Sequence, residues 1–128
     1  MNHRPFTLLP LAMLAVLLLA ANVAAADKAD TADMEIQYLL NAIGTSGCAF
    51  VRNGTEHPSL EAQDHLAMKY RRGKRYAKTA EQFIERLASK SSWTGKPYLV
   101  ACPDEPAVDS GVWLTKQLMI LRMDQQAL

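Results

Sequence analysis

The sequence has little of what would announce a chemistry. It holds two cysteines in 128 residues and no C-x-x-C pair, which argues against a redox catalyst. No H-x-x-x-H or comparable ligand spacing occurs, so no metal centre is expected. There is no G-x-S-x-G elbow, no phosphate-cradling glycine loop and no dinucleotide fingerprint, so no cofactor is expected either. Charge of one sign is missing too. Fourteen Lys and Arg face 13 Asp and Glu, too even a balance to draw the whole protein to nucleic acid. Internal repeats, long linkers and low-complexity tracts are absent.

One apolar run is present, at the start. Arg4 is the only charged residue before Asp27. Leu11 to Ala21 is uninterrupted and apolar, and Val23-Ala24-Ala25-Ala26 offers small residues to a peptidase. These are the three parts of a cleavable export signal, residues 1–26, with the cut after Ala26 and Ala24 as the second choice. A membrane anchor is the alternative. The run falls short of the roughly 20 apolar residues a spanning helix needs, and no stop-transfer charges flank it. No Cys follows to carry a lipid. Cleavage would leave residues 27–128 as one soluble domain of zero net charge, because Arg4 departs with the signal.

An exported chain with two Cys admits one disulfide, Cys48–Cys102. The chain-entropy model gives it at most about 4 kcal/mol. The alternative is two buried thiols. A bond would require the segments carrying the two residues to be neighbours.

Periodicity places the elements. Met34, Ile36, Leu39, Leu40 and Ile43 recur at helical spacing, with Asp30 or Thr31 as cap and Gly44 and Gly47 as stop. Cys48–Arg52 reads as a strand, and Asn53-Gly54 as a tight turn. A second helix starts at Pro58-Ser59, with Ser59 as cap, and runs to about Arg72 before Gly73. Thr79-Ala80-Glu81-Gln82 resembles a capping box ahead of the apolar stripe Phe83, Ile84, Leu87 and Ala88. After a polar loop, Tyr98–Cys102 is the second strand. Pro103, Pro106 and Asp109 mark a turn-rich loop, and Ser110 can cap a last helix carrying Trp113, Leu114 and Leu118. The expected fold is a small, mostly helical α+β domain with a minimal two-stranded sheet, in the order helix, strand, helix, helix, strand, helix.

Four features stand out. In Lys69–Lys78 six of ten residues are basic and two are Tyr. The run reads either as a contact for an anionic partner or as a solvated helix end favoured by the dipole. Glu61, His65 and Lys69 lie four apart and share a helix face. They read as an acid, a base and a cation, or as a stripe of ion pairs. The Ser89–Thr94 loop offers hydroxyls without an evident base or oxyanion hole. Asn53-Gly54-Thr55 matches a glycosylation sequon, but such short matches are frequent by chance and the tight turn is the reading preferred.

Several blocks resemble the YfeK-like family, small exported bacterial proteins with a domain of unknown function. They are Phe50–Gly54; Glu61-Ala62, His65-Leu66 and Lys69; Thr79–Ile84; and Ala88-Ser89, Ser91-Ser92 and Thr94–Tyr98. The likeness spans about Ile43 to Val100, and Trp113-Leu114 fits the family's last helix. It implies a periplasmic location and carries no assigned activity. Arg52, Asn53, His65, Lys69, Ser91, Ser92, Gly95 and Tyr98 fall on the pattern. They are expected to form one polar cluster, either a recognition surface or a structural set satisfying loop carbonyls. Cys102 and the basic run after Lys69 lie outside the matched residues.

The expectation is a non-enzymatic periplasmic binding or interaction protein, a class that includes inhibitor and immunity-type proteins. Its candidate surface is Arg52, Asn53, His65, Lys69, Ser91, Ser92 and Tyr98. Its partner would be a periplasmic or secreted protein or an anionic envelope component, with no nucleic acid and no span in the mature chain. One alternative is a small hydrolase using His65 with Glu61 or Ser92. Another is envelope association through Lys69–Lys78.

Overall fold

A computed structural model describes residues 11–128, with side chains from Ala21 onward. Arg4 and the start of the expected signal lie outside the described residues. Helix α1 spans Leu11–Thr45, β1 Ala49–Arg52, β2 Thr55–His57 and α2 Ser59–Gly73. A 3-10 turn, Lys74–Tyr76, leads to α3, Ala80–Phe83, which continues as a π-helical segment, Ile84–Ala88. Then come β3 Leu99–Ala101, β4 Val108–Asp109 and α4 Ser110–Gln126.

The sheet has four strands, not two, in the order β2-β1-β3-β4, with every pairing antiparallel. The expected pair is its centre. Asn53 and Gly54 both take positive φ, 51° and 80°, as a two-residue hairpin turn requires. Such a turn needs a returning strand, and Thr55–His57 supplies it. That strand is short and polar because it is an edge, so it lacks the apolar alternation that marks a half-buried strand.

Helix α1 also departs from expectation. Asp30 and Thr31 do not cap it, since the helix is already running there; Thr31 donates its hydroxyl to the Asp27 carbonyl at 2.9 Å. Gly44 lies inside the helix. A Cβ there would run into the Gln63 side-chain amide of α2, which packs over the glycine. Two other expected caps serve elsewhere. Ser59 donates to the Gly44 carbonyl, joining α2 to α1. Ser110, fully buried, donates to the Ala88 carbonyl at 2.8 Å. Thr79 does cap α3, accepting from the Gln82 amide at 3.1 Å. Gln82 answers by accepting from Lys78 N, one residue before the cap.

The core gathers Ile36, Leu39 and Ile43 of α1, Leu66 and Tyr70 of α2, Phe83 and Leu87 beyond the 3-10 turn, Val100 of β3 and Leu114 of α4. Cys48 and Cys102 follow the β1–β3 register to opposite ends of one more pair and are joined as a disulfide, with their Cα atoms 4.2 Å apart. Among the described residues no helix is long and apolar enough to cross a membrane.

Candidate functional site

Strand alternation builds the site. Phe50 is buried beneath the helices, and a side chain two residues on shares its face. Arg52 therefore follows Phe50 to the helix side at the end of β1. Tyr98 precedes Val100 in the same way on the neighbouring chain segment. Above them lies α2. Its Ala62, Leu66 and Tyr70 go into the core, which turns His65 and Lys69 toward Arg52 and Tyr98.

These residues border a groove of about 700 Å³. All seven candidates line it: Arg52, Asn53, His65, Lys69, Ser91, Ser92 and Tyr98. Arg72 and Tyr76 join them from the basic run, Arg86 from the π-helical segment and Trp93 from the loop. The lining holds three arginines, a lysine and no carboxylate. Among the described residues, none of the four is within ion-pairing distance of an acid.

The side chains differ in what they have left to offer. Lys69 Nζ donates to the Tyr98 hydroxyl at 3.2 Å and to the Lys90 carbonyl at 3.3 Å, and lies 5.1 Å from the centre of the Tyr98 ring. An ammonium has three donors, so one remains. Burial lowers the Lys69 pKa, and the nearby Arg52 guanidinium lowers it further. His65 sits edge-on to Tyr98, and its Nε2 is buried without a protein partner. Its pKa is lowered by burial first, then by Arg52, Lys69 and His57. Burial raises that of Tyr98, with Arg52 opposing. Arg52 thus faces all three groups.

Asn53 and Ser91 do a different job. Ser91 is buried, and its hydroxyl accepts from Asn53 Nδ2 and from the backbone amides of Trp93 and Thr94, at 3.3–3.4 Å. Asn53 Oδ1 accepts from the Thr94 hydroxyl at 2.6 Å. The two residues clamp the hairpin to the loop and position the groove wall.

Glu61 does not meet His65. It accepts from His57 Nδ1 at 2.7 Å, so the acid–base pair read from the four-residue spacing is replaced by a different one. The basic run does not present one face. Tyr70 is buried against Phe83 and donates to Asp33 at 2.9 Å; burial, reinforced by that carboxylate, pushes its pKa up to about 12. Lys74 pairs with Asp33 at 3.0 Å, and Arg75 stacks on Tyr76. Among the described residues no group of three His, Cys, Asp or Glu could hold a metal ion.

Arg72 had a signal in the sequence, since it lies three residues after Lys69 on the same helix face. Trp93 had one as well, as a lone large apolar residue in a polar loop. Arg86 had none.

Together these features define a small α+β domain with a basic, carboxylate-free groove. The chain belongs to DUF5329, a family of unknown function, whose model matches residues 30–122. It is 44% identical over 79 residues to the uncharacterized protein YfeK of Salmonella typhimurium, a match covering 61% of this chain and 62% of that protein. No solved structure matches the chain.

Proposed function

We propose that the protein is exported to the periplasm and acts there, without catalysis, by binding an anionic group in the groove. One observation carries the reading. Arg52, Lys69, Arg72 and Arg86 converge on a single concavity that no carboxylate lines. Clustered like charges repel: burial is the larger cause of the lowered pKa values of Lys69 and His65, and the Arg52 charge adds to it. A bound anion would offset it.

Export is supported by how α1 is used. Every described side chain from residue 21 to 31 is exposed, and the first buried one is Ala32. Among the described side chains, a cut after Ala26 would therefore remove none from the core. Export also permits the disulfide to persist.

The test recovers the protein from the periplasmic fraction of its own cell, reads its N-terminus and titrates it with inorganic phosphate by amide NMR. Asp27 should be the first residue. Phosphate should shift resonances of Arg52, Lys69 and Ser92–Tyr98, less so at high salt, and not in Arg52→Met/Lys69→Met. Recovery from the cytoplasm with Met1 intact refutes export. Shifts that are absent, or that persist in the double variant, refute the anion site.

A further inference from the structure

We infer that the groove's ligand is an acidic sugar, its anionic group on Arg52 and Lys69 and its ring against Trp93. This rests on the anion-binding reading and adds the ligand class.

Trp93 is 97% exposed, yet it lines the groove. An indole left in water forgoes the gain of burial. The chain has used that gain elsewhere: Trp113 packs edge-on to Phe50, ring centres 6.1 Å apart. Nor does Trp93 sit on a loose loop. Ser91 N donates to the Lys96 carbonyl at 2.9 Å, Gly95 N to the Ser91 carbonyl at 3.0 Å and Tyr98 N to the Ser89 carbonyl at 2.9 Å. Inside that frame the Ser91 hydroxyl accepts from Trp93 N, and Thr94 is tied to Asn53. Gly95 takes φ of +71°, which favours glycine and allows the loop to close. The backbone is thus fixed around a side chain that touches almost nothing. Rigid presentation of an aromatic face lowers the ordering cost of binding.

The groove asks for a ligand with three properties. It needs negative charge for the cations. It needs a ring with an apolar face for the indole, which is large, rigid and only weakly polar. It needs hydroxyl-like edges, because the polar groups still free beside the cations are the Ser92 and Tyr98 hydroxyls and the His65 imidazole nitrogen. Ser92 is exposed at the wall. The Tyr98 hydroxyl accepts from Lys69 and so keeps its own hydrogen to donate. The Asn53 amide, a group suited to reading a nucleobase edge, is held at both ends by the loop and keeps one N–H and one lone pair. The volume of about 700 Å³ is that of a small-molecule site. A sugar bearing a carboxylate or a phosphate meets all three demands.

The test titrates the protein with glucuronic acid, glucose 6-phosphate, glucose, acetate, inorganic phosphate and AMP. The indole N–H of Trp93 is the reporter, assigned with Trp93→Phe. One of the two acidic sugars should bind about tenfold tighter than acetate or phosphate and move the Trp93 signal. Which one does so decides between carboxylate and phosphate. Trp93→Ala should reduce that sugar to the level of the free anion and leave acetate and phosphate unchanged. If the free anions bind as tightly as the sugars, or Trp93→Ala leaves the ratio intact, the sugar assignment falls while the anion site stands. If AMP binds tightest, the ligand class is wrong. If glucose matches its acids, or nothing binds, both readings fall.

Discussion

Arg122 and Arg52 are both half-buried arginines, and the protein treats them in opposite ways. Arg122 of α4 makes a fork of hydrogen bonds to Glu35 of α1, Nε to Oε1 at 2.8 Å and Nη2 to Oε2 at 3.0 Å. Its remaining arm donates to Glu81 of α3 at 2.6 Å. One guanidinium thus ties three helices together, and Glu35, with its side chain 7% exposed, has its charge answered. Arg52 has no such partner among the described residues. It instead faces Lys69 and His65, which its charge disfavours. Acidic residues are as numerous as basic ones after Arg4, so the difference is one of placement. The chain pairs a cation where it needs a tie. Where it leaves several unpaired around one concavity, the repulsion is tolerated for something other than stability.

The largest effect should come from breaking the tie. Arg122→Met leaves the Glu35 carboxylate buried without its two donors. That should destabilise the fold by about 2–3 kcal/mol in urea denaturation, less than for a fully buried pair because Arg122 is 41% exposed. Adding Glu35→Leu should restore most of the loss, since an apolar pair needs no compensation. A single-variant loss under about 0.5 kcal/mol would mean that Arg122 behaves as an ordinary surface ion pair and would dissolve the contrast with Arg52.

A smaller, pH-dependent effect belongs to His65. Its pKa in the fold lies below the ordinary 6.5, through burial and the charges of Arg52, Lys69 and His57. Below pH about 6.5 the unfolded chain takes up a proton that the folded protein resists, so stability falls as pH drops through the window between the two values. Above it the contribution is constant. The carboxylates act later: Asp33, held low by Lys74, and Glu81, held low by Arg122, lose their contribution only as pH falls below the ordinary 3.8 and 4.5. His65→Gln should flatten the stability profile between pH 7 and 5 without altering the steeper fall beneath it. Phosphate should also flatten it in the parent protein, because a bound anion favours the charged imidazole. An unchanged slope in His65→Gln would remove His65 from the account.

How far the sequence foretold this follows from where each signal arises. The tie between Glu35 and Arg122 was invisible, since the residues are 87 positions apart and neither sits in a pattern. The two central strands, the hairpin turn at Asn53-Gly54 and the helix order were legible because each is local: an apolar run, a residue pair tolerant of positive φ, a 3.6-residue period. The edge strands β2 and β4 were missed because exposure on an edge strips them of apolar alternation. Cap assignments at Ser59 and Ser110 failed for a related reason. A hydroxyl at a helix start has the option of a tertiary carbonyl, and Ser59 and Ser110 donate to those of Gly44 and Ala88. In the groove, Arg52, His65, Lys69 and Tyr98 were recognisable through the family's blocks. The four-residue spacing put Glu61 with His65, but the hairpin brings His57 to Glu61 first. Arg86 arrives on the π-helical segment, whose altered turn no helical period anticipates.

The smallest effect is also the most discriminating. Arg52→Met removes a charge that no acid within the described residues compensates and relieves its neighbours of it. Stability at neutral pH should therefore stay within about 0.5 kcal/mol of the parent or rise slightly, where the loss of Arg122 is severe. The pKa of Lys69 and that of His65 should both move up toward their ordinary values, readable by NMR titration, because the Arg52 charge contributes to each depression. Burial remains, so neither should return fully. A marked loss of stability would mean that Arg52 supports the fold as Arg122 does. The groove would then be a structural cluster satisfying its own loops, with no reason to assign it a ligand.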